Sequence, residues 1–322
     1  MEEWARYEAA MRLGAIALAA LLGAVAAPEA RALVAYTHAS VTVPSTTDGV
    51  PQDVPTELYK PEGDGPFPAI VILHDCSGLG PRSSGAPARW AQFLATQGYV
   101  VAMPDSFTPR GFPQGVCTAP SGNATAKVNP LPRAYDAFAT LAYLRRQPFV
   151  DGAHIGVMGG SHGGATTLVV DTMPVAATAP LAQDKTHGFA AAIALYPGCA
   201  ARFGNWTIRR ESGDHGKVVD FIGTYRPVVP LLILVGEKDD WTPAEHCRVL
   251  AERAQAAGYP VTIKIYPGAD HSFDSNAPER YVAERRNVNA ADGRGATTGG
   301  NQAAWNDAIQ QVTAFFGRYL KD

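Results

Sequence analysis

The strongest constraint on the fold of this chain is a regular alternation, starting at Phe67, of short apolar runs with longer segments of helical spacing. The run FPAIVILHD is continuously apolar and rich in β-branched residues, as expected for a strand buried on both faces. Further runs of this kind follow along the chain: VVAMPD, IGVMGG, FAAAIALYP, VPLLILVGE and VTIKIYP. Segments with helical spacing separate or follow them, at 89–99, 134–146, 162–173, 244–258 and about 302–320. This order predicts an α/β fold in which helices cover both faces of a mostly parallel central sheet.

The N-terminal part of this pattern is different, because HASVTVPS and PTELYKP have no helix between them. We expect these two runs to add antiparallel strands at one edge of the sheet. Ligands of parallel sheets bind outside the carboxyl ends of the strands. The residues that directly follow each strand are therefore the candidates for chemistry.

Residues 11–32 carry one basic residue at the start, then an apolar run, and end in Ala-Arg-Ala. This order is typical of a secretory signal peptide, with cleavage expected after Ala32. The apolar run is shorter than the roughly 20 residues that cross a membrane, which argues against a stable membrane span. An uncleaved anchor or a buried helix is the alternative interpretation of this segment. The first ten residues contain three Glu, which favours Met11 as the natural start. We assign residues 1–32 to a signal peptide region and predict a periplasmic or secreted protein without a stable membrane span.

Charge and cysteine content narrow the function further. The 322-residue chain has a formal net charge of −3 and no local Lys/Arg cluster, which argues against a nucleic-acid partner. In an oxidising compartment its four cysteines would form two disulfides, and the residues alone leave all three pairings open. Free buried thiols are the alternative. The cysteines are Cys76, Cys117, Cys199 and Cys247.

The segment GVMGGSHGG, residues 156–164, is the most informative motif. A P-loop would need Lys and Ser/Thr after the second glycine, where this chain has Ala and Thr. Residues 159–163 instead fit G-x-S-x-G between a strand and a helix, the context of a nucleophile elbow. Glycines tolerate the close backbone approach of that turn, and the turn brings Ser161 next to the first N–H groups of the helix.

A serine nucleophile needs a base and an orienting carboxylate, which follow this elbow in the order Asp/Glu and then His. Of the four later histidines, His271 directly follows a late strand, in IYPGADHSF. The preceding strand leads into KDDWTP, which offers Asp239 or Asp240. Each feature alone has an ordinary explanation, such as a chance motif among 32 glycines, a helix cap or a core histidine. Their joint order at strand ends predicts a Ser-His-Asp triad.

An oxyanion hole is the third element that this chemistry needs. One donor is expected to be the backbone N–H of His162, the residue after the nucleophile. The other should come from the loop HDCSGLG, residues 74–80, where Cys76 is the expected donor position.

With these residues in place, the motifs HDCSG, GVMGGSHGG, LVGEKDDWTP and YPGADHSFD resemble the dienelactone hydrolase family of the α/β-hydrolase superfamily. The resemblance extends from about Phe67 to the C-terminus and implies one α/β-hydrolase domain over residues 33–322. It also implies acyl transfer without a cofactor or metal, on a small-molecule ester or lactone, and places the acid at Asp239. Enzymes of the family use a thiol in G-x-C-x-G, so Ser161 is more similar to the carboxylesterase-type members.

The resemblance also suggests residues for substrate recognition, because dienelactones carry a carboxylate. Arg110, after a strand end, and Arg82 are the candidates, although either arginine could simply fix its own loop. The insertion at 199–225 either forms a lid whose aromatic residues line the pocket or packs onto the domain. The polar segment 287–301 is expected to be an exposed loop. The shared placement of the loops suggests disulfides between Cys76 and Cys117 and between Cys199 and Cys247.

Other functional classes remain open at this stage. The fold could serve as a catalytically idle binding protein, or the same triad could belong to a serine peptidase or an acyltransferase. A metal-dependent hydrolase would have potential ligands in His74, Cys76, His246 and Cys247, but their spacing does not match a zinc site.

Overall fold

The computed structural model describes residues 34–47, 49–119, 126–172, 188–210 and 218–322, which belong to one compact unit. The predicted signal peptide region lies outside these residues. The strands are β1 Tyr36–Thr47, β2 Val50–Pro61, β3 Phe67–Leu73, β4 Val100–Pro104, β5 Val150–Gly160, β6 Ala191–Leu195, β7 Thr207–Arg210, β8 Val218–Ile222, β9 Leu231–Gly236, β10 Val261–Tyr266, β11 Arg280–Arg286 and β12 Arg294–Thr298. The helices are α1 Ala86–Thr96, α2 Pro130–Arg145, α3 His162–Val170, α4 Ala244–Ala256 and α5 Gln302–Leu320.

Eight of these strands form the central sheet, in the order β1-β2-β4-β3-β5-β6-β9-β10. The six strands from β4 to β10 in this order run parallel to one another. The first two are antiparallel and lie at one edge. The mostly parallel sheet and its antiparallel edge are both as predicted. The sequence runs of β3, β4, β6 and β9 are continuously apolar because these strands are buried almost completely.

Aromatic side chains on the helices fill the space next to the sheet. Trp90 of α1 and Trp305 of α5 pack edge to face, with their ring centroids 4.5 Å apart. Phe316 of α5 lies directly over Gly156 of β5, where any β-carbon would come within 2.7 Å of its ring. This close approach holds α5 against the strand that leads to Ser161.

The insertion at 199–225 packs onto the domain rather than presenting its largest aromatic residues to a ligand. Its described part contains the antiparallel pair β7–β8. Trp206 and Tyr225 are fully buried. The Trp206 indole donates to the carbonyl of Cys199 at 2.8 Å, and the Tyr225 hydroxyl donates to the carbonyl of Leu168 at 2.9 Å. The packing alternative is therefore the one that the structure supports.

The prediction of an exposed loop at 287–301 was wrong. Part of this segment is strand β12, which pairs with β11 in an antiparallel hairpin. Asn287 and Ala296 are buried, because the hairpin lies against the segment after β9. The side-chain amide of Asn287 donates to the carbonyl of Asp240 at 2.9 Å and to that of Gly295 at 2.8 Å.

Two disulfides connect segments that follow strands of the sheet, with Cys247 in the first turn of α4. They join Cys76 to Cys117 and Cys199 to Cys247, the pairing suggested above. Across the described ranges, no helix has both the length and the apolar character needed to cross a membrane.

Candidate active site

Ser161 occupies a strained turn between β5 and α3. Its backbone has φ 53° and ψ −114°, a left-handed φ that non-glycine residues rarely adopt. The flanking glycines make this turn possible. A β-carbon on Gly159 would lie 2.6 Å from the backbone of Gly163, and one on Gly163 would lie 1.8 Å from the carbonyl oxygen of Leu73. The G-x-S-x-G pattern therefore reflects a steric requirement of the fold.

The structure brings Ser161, His271 and Asp239 together in a chain of hydrogen bonds. His271 Nε2 lies 2.8 Å from Ser161 Oγ, and His271 Nδ1 lies 2.8 Å from Asp239 Oδ2. All three side chains are buried, and each follows the carboxyl end of a parallel strand. Because a carboxylate only accepts hydrogen bonds, Nδ1 carries the proton and Nε2 presents its lone pair to the serine hydroxyl.

The Asp239 carboxylate is fixed by the turn that follows it. The backbone N–H groups of Trp241 and Thr242 donate to Oδ1 at 3.0 and 2.7 Å, and the Thr242 hydroxyl lies 2.8 Å from Oδ2. Asp240, the other candidate acid, points elsewhere. Its two oxygens accept from the N–H and the hydroxyl of Thr297, both at 2.8 Å. The geometry thus separates two neighbouring aspartates whose positions in the sequence are nearly equivalent.

The expected oxyanion donors belong to residues that line the same cleft as Ser161. Cys76 and His162 both line the cleft next to Ser161. Within the described ranges, neither backbone N–H has a protein acceptor. The Cys76 loop is held by Val116, whose N–H donates to the Cys76 carbonyl at 2.7 Å, and by Asp75, which accepts from the N–H of Ser77 at 2.7 Å.

A cleft of about 340 Å³ opens next to Ser161. Its lining residues are Cys76, Val116, Cys117, Ala119, Val128, Asn129, Ser161, His162, Ala165, Gly198, Trp241, Thr242 and Arg286. The cleft is lined mainly by apolar groups with a few polar ones, as is usual for small-molecule sites.

The structure does not place Arg110 or Arg82 among the lining residues of this cleft. Arg110 forms two hydrogen bonds with Asp136, at 2.7 and 2.9 Å, in a buried ion pair. A guanidinium held in this way by a buried carboxylate fixes its own loop, so the structural explanation of Arg110 replaces the substrate-binding one. Arg82 is exposed on the surface.

Arg286 is the cleft arginine that the sequence analysis missed. It ends strand β11, and its carbonyl accepts the indole N–H of Trp241 at 2.8 Å. The sequence signal that could have revealed the hairpin is the Asp-Gly dipeptide at 292–293, which favours a turn between two strands.

Tyr196 packs against His271 and was also missed by the sequence analysis. It has φ 36°, and its ring packs 4.7 Å from the ring of His271, centroid to centroid. Its hydroxyl donates to Asp274 Oδ1 at 2.7 Å, and the Trp90 indole donates to Oδ2 at 2.7 Å. Burial raises the pKa of Asp274 in spite of these two donors.

The metal alternative loses two of its ligands, because Cys76 and Cys247 are disulfide-bonded and cannot act as thiolates. In the part of the chain that the structure describes, no three His, Cys, Asp or Glu side chains are grouped so as to hold a metal ion.

Comparison with known proteins assigns this chain to a family. The profile of the dienelactone hydrolase family matches residues 54–320. A protein of Yersinia pestis described as a "putative carboxymethylenebutenolidase" is 27% identical over 252 residues, which are 76% of this chain and 81% of that protein.

Solved structures show the same fold. A dienelactone hydrolase structure from Klebsiella pneumoniae, also described as putative, has a TM-score of 0.61 and 19% identity, over 88% of this chain and 100% of that one. Esterase 2 of Thermogutta terrifontis, phosphorylated by paraoxon, has a TM-score of 0.54 and 18% identity, over 87% of this chain and 94% of that one.

Proposed function

This chain belongs to the dienelactone hydrolase family and is a carboxylic ester hydrolase, and from that premise we propose that it is an exported serine hydrolase of small esters or lactones. The hydrogen-bond chain from Asp239 through His271 to Ser161 carries the proposal. A neutral imidazole that accepts from a serine hydroxyl, with its other nitrogen held by a carboxylate, is the arrangement that activates serine for acyl transfer.

In the first step, Ser161 Oγ forms a bond to the carbonyl carbon of the ester. His271 Nε2 takes the hydroxyl proton as this bond forms, and the π electron pair of the carbonyl moves onto its oxygen. The N–H groups of Cys76 and His162 then hold this oxyanion. Asp239 stabilises the imidazolium that results and keeps its Nδ1–H in place.

In the second step, the oxyanion pair re-forms the carbonyl and the bond to the leaving oxygen breaks. His271 gives its proton to that oxygen, which leaves as an alcohol or, in a lactone, as the free end of the same molecule. Water then repeats both steps on the acyl-serine, with His271 taking one water proton and returning it to Ser161 Oγ. The products are a carboxylic acid and an alcohol, and the enzyme is regenerated.

The size of the cleft supports the proposal that the substrates are small. The presence of Arg286 in its wall supports substrates that carry a carboxylate. The volume of about 340 Å³ is near the lower end of the range for small-molecule pockets. Arg286 is a lining residue of the cleft. A guanidinium binds a carboxylate through two parallel hydrogen bonds, so Arg286 is the residue we propose for a substrate carboxylate.

Export is supported by the two disulfides and by the signal-like pattern of residues 11–32. Disulfides persist in oxidising compartments and are rare in the cytosol. N-terminal sequencing of the protein recovered from a periplasmic or culture fraction tests this part. We expect a chain that begins at Leu33, and an unprocessed chain that begins at Met11 or Met1 and stays in the cytosolic fraction would contradict export.

The test of the reaction is the hydrolysis of 4-nitrophenyl butyrate and a small lactone by the wild-type protein and by Ser161→Ala. Ser40→Ala, on the exposed face of β1 and outside the cleft, is the matched control. We expect turnover by the wild type and the control and none above background by Ser161→Ala. Equal rates in all three proteins would contradict the proposal.

A further inference from the structure

Arg133 of α2 is a fully buried cation behind the oxyanion donors. Its Nη1 donates to Nδ1 of His162 at 2.6 Å, and its Nη2 donates to the carbonyl of His74 at 2.7 Å. His162 supplies one of the proposed backbone donors, and His74 lies two residues before Cys76, which supplies the other. One guanidinium therefore contacts both segments that form the hole.

This guanidinium has no carboxylate partner among the described residues. Asp136, one helical turn further along α2, is occupied by Arg110 in two hydrogen bonds. Burial lowers the pKa of Arg133 to about 9, while the nearby carboxylates of Asp136 and Asp75 raise it. The group stays charged at neutral pH. Keeping an unpaired buried charge is costly, so its position behind the oxyanion hole calls for an explanation.

The same contact fixes the protonation state of His162. A guanidinium has donors and no acceptor, so Nδ1 of His162 must accept and the ring proton must be on Nε2. Burial and the charge of Arg133 lower the pKa of His162 to about 3, so the ring is neutral under ordinary conditions. Because Nδ1 faces the buried Arg133, the opposite edge of the ring, with Nε2, is the part that His162 can present to the cleft it lines.

We propose that Arg133 and His162 form a side-chain extension of the oxyanion hole, in which the buried guanidinium polarises the imidazole and Nε2–H donates to the negative charge that develops on the substrate. The inference rests on the proposed function and deepens it. His162 is then a catalytic residue through its side chain as well as its backbone. Arg133 is a positioning residue that acts through His162.

Two variants of His162 test the side chain without removing its backbone N–H. His162→Leu keeps a similar volume and has no donor, whereas His162→Gln offers an amide N–H in place of Nε2–H. With 4-nitrophenyl butyrate, we expect His162→Leu to lower kcat about 10- to 100-fold with KM changed less than about twofold, as for a donor that acts in the transition state. His162→Gln should recover part of the loss. A packing role would lower the melting temperature and leave kcat unchanged.

Arg133→Met tests the polarising charge. We expect it to lower kcat, and Arg133→Met should cost less kcat in the His162→Leu background than in the wild type, because its polarising effect passes through His162. Multiplicative losses would overturn that coupling. Arg133→Lys keeps the charge and should lie between the wild type and Arg133→Met.

The ring itself can be observed by ¹⁵N NMR of the histidine-labelled protein, with His162→Gln used to assign its signals. We expect a neutral Nε2–H ring for His162 that does not titrate between about pH 5 and 9. An Nδ1–H ring, or titration near the ordinary histidine pKa, would overturn the inference.

The inference and the proposed function fail in different ways. If a fluorophosphonate reacts with Ser161 and His162→Leu keeps the wild-type kcat, only the role of His162 is wrong. If the folded wild-type protein neither reacts with the fluorophosphonate nor hydrolyses the ester, the serine hydrolase proposal is wrong. The inference about Arg133 and His162 is then wrong as well.

Discussion

The two sides of the cleft are held together by different means. On the acid–base side, Asp239 and His271 lie on short turns after parallel strands and are locked by a hairpin. On the oxyanion side, Cys76 and His162 are held by a disulfide, by the hydrogen bonds of the Cys76 loop and by one buried arginine. We expect the loss of one hairpin contact to cost less activity than the loss of the disulfide or of the arginine next to the oxyanion donors.

The acid–base side has many independent contacts. Hairpin β11–β12 contributes the two hydrogen bonds from Thr297 to Asp240 and the contact of the Arg286 carbonyl with the Trp241 indole. His271 pairs with Thr298 of the same hairpin, and its carbonyl accepts the N–H of Gly299 at 3.0 Å. The removal of one of these contacts leaves several others in place.

The oxyanion side is held by contacts within loops and by Arg133 of α2. The Cys76–Cys117 bond ties the donor loop to the segment that carries Val116, and both cysteines line the cleft. The second disulfide is placed differently. Cys199 and Cys247 are 1% and 0% exposed, and neither lines the cleft.

The largest expected effect separates the two neighbouring aspartates of the acid–base side. Asp239→Asn should lower kcat about 10³- to 10⁴-fold, because the amide no longer holds His271 with the proton on Nδ1. Asp240→Asn should stay within about tenfold of the wild type, because it removes one contact of several. The measurement is kcat for 4-nitrophenyl butyrate, and equal losses in the two variants would mean that the carboxylate beside His271 has no special role.

The next largest effect is expected from the removal of each disulfide, compared by stability and by kcat. They span 41 and 48 residues, so each should contribute about 4 kcal/mol to the free energy of unfolding by restricting the unfolded chain. Their effects on activity should differ. We expect Cys76→Ala/Cys117→Ala to lower kcat about 10- to 100-fold at a temperature where the protein is folded, through misplacement of an oxyanion donor. Cys199→Ala/Cys247→Ala should keep kcat within about threefold.

Urea unfolding and ester hydrolysis, measured on both double variants, check this comparison. Similar losses of stability with unequal losses of kcat would support it. If the Cys199–Cys247 variant loses more kcat than the other, the assignment of the oxyanion side to Cys76 is wrong.

A smaller effect concerns substrate binding at Arg286. For 4-nitrophenyl hydrogen adipate, Arg286→Leu should raise KM about tenfold through the loss of a charge-assisted hydrogen bond. For 4-nitrophenyl hexanoate, which has the same chain length and no carboxylate, KM should be nearly unchanged. Arg110→Leu is the contrasting variant. It should lower stability and leave the ratio of the two KM values as in the wild type.

The smallest expected effect is a pH dependence of stability that comes from Asp274, below His271. Burial raises its pKa in the folded protein above the unfolded value, so folding favours the protonated carboxyl. Its contribution is fully present below the unfolded pKa of about 3.9 and is lost as pH rises through the folded value. Asp274→Asn can accept from the Trp90 indole through its amide oxygen and donate its amide N–H to the Tyr196 hydroxyl. Because it does not titrate, it should flatten this slope in urea unfolding as pH rises above about 4. A variant with the wild-type slope would show that the carboxyl is not the source.

The features that could be predicted from the sequence are those encoded over a few consecutive residues. The apolar run of β3 and the glycines around Ser161 follow from local sterics and burial. The order of Ser161, Asp239 and His271 also follows, because the carboxyl ends of parallel strands meet at one edge of the sheet.

The features that could not be predicted depend on partners far apart in the chain. Arg110 was proposed from the sequence as a carboxylate ligand and Arg286 was missed, because nothing near either residue shows that Arg110 pairs with Asp136 or that Arg286 lines the cleft. Arg133 lies within a helix of ordinary pattern, and nothing near it in sequence indicates that it contacts His74 and His162. The hairpin that contains β12 was mistaken for a loop because its polar residues are buried by long-range contacts.

The central claim is that Ser161 is an activated nucleophile, and covalent labelling tests it most directly. The purified mature protein is treated with a fluorophosphonate and its intact mass is measured, next to Ser161→Ala and the Ser40→Ala control. We predict one adduct on the wild type and on the control and none on Ser161→Ala. A folded wild-type protein without an adduct, or an adduct that persists in Ser161→Ala, would contradict the account.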